Sequence, residues 1–313
     1  MRITTLCMST TIQRTAVFER VNMNEVNRSV RYRLDASGKA VNAARVLNQL
    51  EQNCALLICP AGKENIDDFV SLARADALES SIIPVPGRVR VCCTLLEKEN
   101  GRVTELVMDE PDCPGEQNKM MIVKAEKRIW AELQKALKKS DALLFAGTTP
   151  KIWPEDFKVR VCKSTCDAGV VLLVDFWGKE LLSVLKECTP DIIKINAKEF
   201  CGTFCTQEIR DTPGLMKAVA DKSRELNNCI VITRGSESTV GAFRGTAFEA
   251  AVEKIKAVNT IGCGDSFSSG FLYEYLKTAA AHSGTPDISA ALAKGTWCAA
   301  RNAECEKVGT LYE

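Results

Sequence analysis

From about residue 140 the chain alternates between short apolar runs and stretches with helical spacing. The apolar runs are residues 142–146, 170–175, 192–195 and 229–233. The helical stretches lie near residues 154–168, 179–186 and 213–226. Continuous apolar strands separated by helices are typical of a parallel sheet that is covered on both faces. This pattern predicts an α/β fold.

The first third of the chain has a two-residue periodicity instead. Over residues 26–34, Val26, Val30, Tyr32 and Leu34 alternate with polar residues, which predicts a strand with one solvent-facing side. Further strand-like segments are residues 17–21, 90–97 and 102–108. Between the last two, Glu99-Asn100-Gly101 predicts a hairpin turn.

These strands fall in two insertions, residues 12–35 and 87–110. We expect the insertions to form a small β-sheet lid on a main α/β domain of residues 1–11, 36–86 and 111–313. Open α/β sheets bind ligands at the carboxyl ends of their strands, so the lid is expected at that edge.

Composition narrows the class of protein. With 41 Lys+Arg against 40 Asp+Glu the net charge is +1, so no global field favours nucleic acid or an anionic membrane. The N-terminus lacks the apolar core of a signal peptide, and no apolar run is long enough to span a bilayer. The 15 cysteines include no Cys-x-x-Cys pair, which favours reduced thiols in a cytoplasmic protein.

One glycine-rich segment carries the clearest chemical signal. Gly262-Cys263-Gly264-Asp265 precedes an apolar helical stretch. Glycines let backbone N–H groups approach an anion closely, and a helix start adds unpaired N–H groups and the positive end of its dipole. Asp265 could accept a proton from a hydroxyl that attacks phosphorus. A plain turn, in which Asp265 only complements the dipole, fits the same residues.

Four segments in order resemble motifs of the ribokinase-like (PfkB) carbohydrate kinases. Residues 37–47 are similar to the family's Gly-Gly-Lys-Gly-x-Asn-x-Ala, and residues 194–199 to its Lys-Pro-Asn-x-x-Glu. Residues 231–235 resemble the strand and turn beside the nucleotide, and residues 260–267 the C-terminal signature. The match covers essentially the whole chain. It implies a three-layer α/β/α domain with a mostly parallel central sheet and a small β lid.

Within the family, the branch that phosphorylates ketohexose phosphates fits best, namely 1-phosphofructokinase and tagatose-6-phosphate kinase. The segments that carry this resemblance are residues 25–28, 37–47, 87–90, 103–106 and 301–304. The resemblance implies ATP-dependent transfer of a phosphoryl group to a sugar phosphate, most like fructose 1-phosphate to fructose 1,6-bisphosphate. Asp265 would be the general base, and the amides of Gly262, Cys263 and Gly264 would form the anion hole.

The resemblance also assigns binding residues. For the sugar phosphate they are Gln13, Arg28, Gly38, Lys39, Asn42 and Arg90. For the nucleotide they are Lys194, Asn196, Thr233, Gly235 and Asn302. Asn196 and Glu199 would organise Mg²⁺, largely through water. Two alternatives stay open on the residues alone: Asn196 and Glu199 also fit a helix capping box, and Lys39 with Asn42 also fits a solvated helix face.

Three departures from the family pattern lie mainly on the sugar side. Gln13 stands where the family has an aspartate that binds sugar hydroxyls. Ser37-Gly38-Lys39-Ala40 replaces Gly-Gly-Lys-Gly, which adds side chains where the backbone approaches the substrate. Ile195 replaces a proline. Alternative hypotheses are therefore a kinase of an unphosphorylated sugar or nucleoside, and a family member that binds ligand without catalysis. The half-apolar lid strands also suggest a homodimer formed through the lid.

Overall fold

A computed structural model of the protein describes residues 1–109, 113–205 and 207–312, in which nine strands form one large sheet. From edge to edge these strands are β13 (Thr246–Ala250), β12 (Thr239–Phe243), β11 (Cys229–Thr233), β10 (Ile192–Asn196), β9 (Val171–Asp175), β8 (Ala142–Ala146), β1 (Ile3–Cys7), β4 (Ala55–Gly62) and β5 (Ser80–Val85). The β11–β12 and β12–β13 pairs are antiparallel, and the other pairs are parallel. The predicted, mostly parallel sheet is confirmed.

Helices cover both faces of this sheet. One layer consists of α1 (Lys39–Leu50), α2 (Ile66–Ala75), α8 (Cys263–Ala281) and α9 (Ile288–Ala303). The other consists of α3 (Glu116–Leu137), α4 (Phe157–Asp167), α5 (Gly178–Leu185), α6 (Ala197–Phe204) and α7 (Thr212–Leu226). The predicted helices near 154–168, 179–186 and 213–226 correspond to α4, α5 and α7. Helices α2, α3 and α9 and the β12–β13 hairpin were not predicted.

Alternate residues of the central strands supply the two cores. In β8, Leu143 and Phe145 pack on one side of the sheet, while Leu144 packs on the other, and all three are fully buried. Burial of a large apolar side chain contributes about 1.5–3 kcal/mol each. Because both faces are covered, these strands read as continuous apolar runs in the sequence.

The two insertions form a second, four-stranded sheet. Its strands are, in order, β3 (Arg31–Ser37), β2 (Thr11–Phe18), β6 (Arg90–Glu97) and β7 (Val103–Leu106). Gly101 lies in the predicted turn between β6 and β7, with φ +66°. The predicted domain boundary between residues 110 and 111 lies outside the described residues. Within the described chain, no helix is both long enough and apolar enough to span a bilayer.

The prediction for residues 26–34 is wrong in two respects. The strand begins only at Arg31, because the preceding segment is a loop in which Asn24 has a positive φ of 64°. The alternation also has the opposite orientation: Tyr32 is 65% exposed, whereas Asp35 is 4% exposed. The polar face of the small sheet therefore packs inward and its apolar face is the outer one.

Candidate active site

The carboxyl ends of three parallel strands place polar side chains at one edge of the large sheet. Asp175 is the last residue of β9, Asn196 of β10 and Thr233 of β11. Asn196 and Thr233 lie side by side in the β10–β11 pairing. In open α/β sheets this edge is where ligands bind.

Helix α8 begins at the same site with the glycine-rich segment. Gly262 precedes the helix in the left-handed conformation, with φ +81°. The positive φ favours glycine, and a Cβ there would also make tight contacts of 3.3 Å with Asn302 Oδ1 and Val308 Cβ. The Cys263 amide forms a long hydrogen bond, 3.4 Å, to the Thr260 carbonyl.

Asn302 of α9 holds this segment in place by hydrogen bonds. It is fully buried; its Nδ2 donates to the Ile261 carbonyl (2.9 Å), and its Oδ1 accepts the Gly309 amide (2.7 Å). The predicted contact of Asn302 with the nucleotide is therefore wrong, because its polar atoms are used to hold the turn before α8.

Asp265, in the first turn of α8, is 8% exposed and accepts a hydrogen bond from Asn42 Nδ2 at 2.8 Å. Burial raises the pKa of its carboxyl to about 6, against the opposing effects of the Lys39 ammonium and the Asn42 amide. A carboxylate that titrates near neutral pH suits general-base catalysis.

Two lysines flank a second carboxylate that the sequence analysis missed. Asp175 accepts from Lys39 Nζ and Lys194 Nζ, both at 2.9 Å. Burial alone would raise the pKa of Asp175, but the two ammonium groups outweigh it and bring the pKa to about 2. The charge of Asp175 likewise raises the pKa of Lys39. The available signal was an aspartate at the carboxyl end of a buried strand.

Lys194 and Lys39 thus lie together although they are far apart in sequence. Lys194 Nζ also lies beside the glycine-rich segment, since a Cβ on Gly264 would lie 3.0 Å from it. The Lys39 side chain stays 44% exposed, which leaves room for a ligand beside its ammonium group. The structure therefore brings Lys39, Asn42, Lys194 and Asp265 into one charged cluster.

The start of α1 is fixed by close backbone contacts. Gly38 has φ +129°, and a Cβ there would lie 2.8 Å from both Cys7 Sγ and the Ser9 carbonyl. The hydroxyl of Ser37, one of the departures from the family, donates to Asn42 Oδ1 at 2.9 Å. The added side chain of Ser37 therefore holds Asn42 rather than obstructing the substrate side.

A cavity of about 710 Å³ opens beside the glycine-rich segment. It brings together Thr233 and Gly235 with Cys263 and Gly264. Its remaining lining comes mainly from apolar side chains of residues 252–257, α8 and α9, together with Glu253 and Lys254. The volume and lining suit a nucleotide-sized ligand.

Asn196 and Glu199 form the capping box at the start of α6. The backbone N–H of Glu199 donates to Asn196 Oδ1 (2.9 Å), and the backbone N–H of Asn196 donates to Glu199 Oε2 (2.8 Å). The capping interpretation is confirmed, and it uses one oxygen of each side chain. Carboxylate and amide oxygens also match the ligand preference of Mg²⁺.

The other residues predicted to bind the sugar phosphate, Arg90, Gln13 and Arg28, do not come together in one cluster as Lys39 and Asn42 do. Arg90, at the start of β6, donates to Ser9 Oγ (2.8 Å) and to the Met108 carbonyl (3.1 Å). Gln13 is 2% exposed inside the small sheet and donates to Thr94 Oγ1 (2.8 Å). Arg28 is exposed in the loop before β3, so its predicted place on a lid strand is wrong.

Comparison with known protein families decides what kind of protein carries this site. The description of the pfkB family carbohydrate kinases matches residues 6–313, nearly the whole chain. The chain belongs to the pfkB family of carbohydrate kinases. It is therefore a phosphotransferase, and the predicted enzyme class and family are confirmed.

A curated relative of this pfkB kinase is the tagatose-6-phosphate kinase of Staphylococcus epidermidis. The two are 23% identical over 271 residues, which cover 86% of this chain and 83% of the relative. Phosphofructokinase-2 from Escherichia coli, solved with potassium, superposes with a TM-score of 0.83 at 16% identity, covering 99% and 95% of the two chains.

A second structural neighbour is a protein from Thermotoga maritima described as a possible 1-phosphofructokinase. Its TM-score is 0.82 at 15% identity, over 98% of this chain and 93% of that chain. At such low identity these likenesses establish the fold alone. They confirm the predicted three-layer, ribokinase-like architecture with its additional small sheet.

Proposed function

We propose that this pfkB kinase is an ATP-dependent sugar-phosphate kinase in which Asp265 is the general base. Its reaction is most like the conversion of fructose 1-phosphate to fructose 1,6-bisphosphate. The observation that carries the proposal is the Asp265 carboxyl, which is buried, accepts a hydrogen bond from Asn42 of α1 and comes directly after Gly264 of the cavity lining. A base there has the phosphate donor on one side and the acceptor sugar on the other.

In the proposed reaction the sugar hydroxyl gives its proton to Asp265 as its oxygen attacks the γ-phosphorus of ATP. Asn42 orients the carboxylate through its hydrogen bond of 2.8 Å. The amides of residues 262–264 and the positive end of the α8 dipole face the charge that develops on the transferred group. The ammonium of Lys39 adds a cation on the acceptor side.

The nucleotide is proposed to occupy the 710 Å³ cavity, against Thr233 and Gly235. Asn196 and Glu199 stand at the adjacent strand end with oxygen atoms that suit Mg²⁺, reached largely through water. Mg²⁺, when bound with ATP, neutralises phosphate charge. Lys194, whose Nζ lies beside Gly264, is proposed to support the phosphates from the opposite side.

Two observations support a substrate that already carries a phosphate. The relative from Staphylococcus epidermidis is a tagatose-6-phosphate kinase, and one structure of Escherichia coli phosphofructokinase-2 holds fructose-6-phosphate. Arg90 lies at the junction of the small sheet and the large one, where a guanidinium fork suits a phosphate group. Gln13 is proposed to shape the sugar pocket only indirectly, since its amide is bound to Thr94.

The small sheet, made of β2, β3, β6 and β7, is proposed to close over the sugar as a lid and to associate with a second copy. Its outer face exposes Tyr32 (65%) and Leu34 (37%), and Leu106 (43%) is exposed on its other edge strand. Apolar side chains on an exposed sheet face are a natural dimer contact. One structural neighbour is described as a tetrameric inhibited form of phosphofructokinase-2.

A panel assay tests the substrate class. Turnover is measured with fructose 1-phosphate, fructose 6-phosphate, tagatose 6-phosphate, the corresponding free sugars and a nucleoside. We expect a sugar phosphate to be preferred, and Arg90→Ala to raise its KM by about 10- to 100-fold, the cost of a lost charge-assisted contact. Arg88→Ala, two residues away and 64% exposed, is the matched control and should leave KM unchanged.

Two outcomes would contradict the proposal. Preference for a free sugar or nucleoside, with no effect of Arg90→Ala, would assign the protein to a different substrate class. Absence of phosphoryl transfer to every compound in a single-turnover assay, with ATP bound, would favour a ligand-binding member without catalysis.

A further inference from the structure

Arg45 is a buried arginine on α1, 4% exposed and three residues after Asn42 on the same helix face. It lies in the segment 37–47, directly after Ala44, the last position that matches the motif Gly-Gly-Lys-Gly-x-Asn-x-Ala. Its guanidinium donates to four groups: Asn42 Oδ1 (3.3 Å), the Val308 carbonyl (3.0 Å), the Asp76 carboxylate (2.8 Å) and the Ala36 carbonyl.

These contacts determine how the amide of Asn42 is oriented. An arginine has donors and no acceptor, so only the oxygen of the Asn42 amide can face it. The hydroxyl of Ser37 donates to the same oxygen. With Oδ1 held in this way, Nδ2 necessarily points toward Asp265.

Resting on the proposed role of Asp265 as base, we propose that Arg45 is a positioning residue that fixes the Asn42 amide so that it donates to the base. Arg45 does not touch the reacting atoms in this account. It acts through Asn42, and its loss would let the amide turn its oxygen toward Asp265.

Arg45, which orients the Asn42 amide, also contacts the small sheet. Its acceptor Ala36 belongs to β3, next to Ser37. Asp76, which pairs with Arg45, is shared with Lys307, whose Nζ also lies 3.6 Å from Asp35 of β3. Arg45 is thus bonded both to β3, through the Ala36 carbonyl, and to the amide that orients the base.

The pH dependence of turnover reports on this arrangement. The polar and titratable groups around Asp265 are Lys39 and Asn42 on α1, Asp175 on β9, Lys194 on β10, Cys7 on β1 and Cys263 on α8. Among them, the Asn42 hydrogen bond favours the charged carboxylate. An amide oxygen in its place would disfavour the charged form and raise the pKa of Asp265.

The test measures kcat/KM as a function of pH for Arg45→Met and Arg45→Lys. The quantity compared is the pH at which activity falls on the acid side of the profile, called the acid limb. We expect both variants to move the limb up by about 0.5–1 pH unit, since lysine keeps the charge but lacks the fork that reaches Asn42. The double variant Asn42→Ala with Arg45→Met should shift no further than Asn42→Ala alone. An additive shift would overturn the proposal.

The variant Lys307→Met distinguishes the proposed positioning role of Arg45 from a purely structural one, because it removes another partner of Asp76 and leaves the contacts of Asn42 intact. It should lower the thermal midpoint and leave the acid limb in place. An unchanged limb in Arg45→Met would overturn the proposal, and so would its full restoration in Arg45→Lys, which would indicate a charge effect.

If Arg45→Met does not fold, Arg45→Lys alone carries the test, because it keeps the charge and lacks the fork that reaches Asn42. An unchanged limb in Arg45→Lys would then contradict the proposal. Failure of the proposed function is recognised separately, because Asp265→Asn would then retain turnover.

Discussion

The two sheets of this kinase use their faces in opposite ways. In the large sheet the central strands β8 to β11 are mainly apolar and covered by helices on both faces, and Asp175 and Asn196 lie at the carboxyl ends of β9 and β10. In the small sheet the inner face carries Gln13 and Asp35, each less than 5% exposed, while Tyr32 lies on the exposed outer face.

This difference suggests that the large sheet provides a rigid frame for the site, while the small sheet provides surfaces that contact other molecules. A sheet buried on both faces holds the ends of its strands in fixed positions, which suits the cavity beside Gly264 and the Asp175 cluster. A sheet with a polar inner face can cover a polar sugar, and its apolar outer face is available to another copy of the chain. We therefore expect substitutions at the junction of the two sheets to have larger effects than substitutions on the outer face.

The largest effect is expected for Gly38→Ala, where the small sheet meets α1. A Cβ would lie 2.8 Å from Cys7 Sγ and the Ser9 carbonyl, at φ +129°. Backbone strain together with overpacking should lower the free energy of unfolding by about 2–4 kcal/mol. Chemical denaturation measures this quantity.

Gly101→Ala is the matched control, because Gly101 has φ +66° but no atom within 4 Å of the Cβ position. It should cost only about 1 kcal/mol, the conformational term alone. Equal losses for the two variants would show that the contacts around Gly38 do not matter.

An intermediate effect is expected for Leu34→Asp on the outer face of the small sheet. A charge there should weaken self-association by at least about 10-fold, because it must be desolvated in the contact. Sedimentation velocity over a concentration series measures the change. Leu182→Asp on α5, with Leu182 41% exposed against 37% for Leu34, should leave association unchanged. A wild-type protein that stays monomeric at all concentrations would contradict the proposed dimer.

The smallest effect is expected for Asn42→Ala on the pH profile. Loss of its hydrogen bond removes an interaction that favours the charged form of Asp265, so the pKa rises from about 6. The acid limb of kcat/KM should move to higher pH by about 0.5–1 unit. Asn48→Ala, on the same helix but bonded to the Ala55 amide, serves as control and should not move the limb. A downward shift in Asn42→Ala would contradict the sign of this interaction.

How much the sequence predicted also differs between the sheets. Continuous apolar runs located β8, β9, β10 and β11 well, since strands buried on both faces have a distinctive pattern. The alternation over residues 26–34 did not show which face is inward, because a period of two groups residues by face without orienting the sheet. Its outer apolar face follows from tertiary contacts that the pattern does not contain.

The site shows the same division. Gly262, Gly264 and Asp265 were predicted because glycine and an acidic residue before a helix leave a local signal. Asp175 was missed because a single aspartate at a strand end has no motif around it. The role of Asn302 was misassigned because its partners Ile261 and Gly309 lie 41 positions before it and seven after it in the chain.

The central claim, that Asp265 is the base, is tested most directly by Asp265→Asn. In the folded protein the pKa of Asp265 is raised from its ordinary value of 3.8 to about 6. The carboxyl therefore stabilises the folded state most below about pH 3.8, where it is protonated, and this stabilisation is lost as the pH rises through about 6. At pH 7.5 the charged form therefore opposes folding, so the asparagine variant should be at least as stable as the parent in thermal unfolding.

Single-turnover phosphoryl transfer by Asp265→Asn, measured at pH 7.5 with the preferred sugar phosphate and saturating ATP, is the decisive measurement. We expect a rate lower by about 10²-fold or more, with ATP affinity and thermal midpoint preserved. A rate within a few-fold of the parent would contradict the assignment of Asp265 as general base.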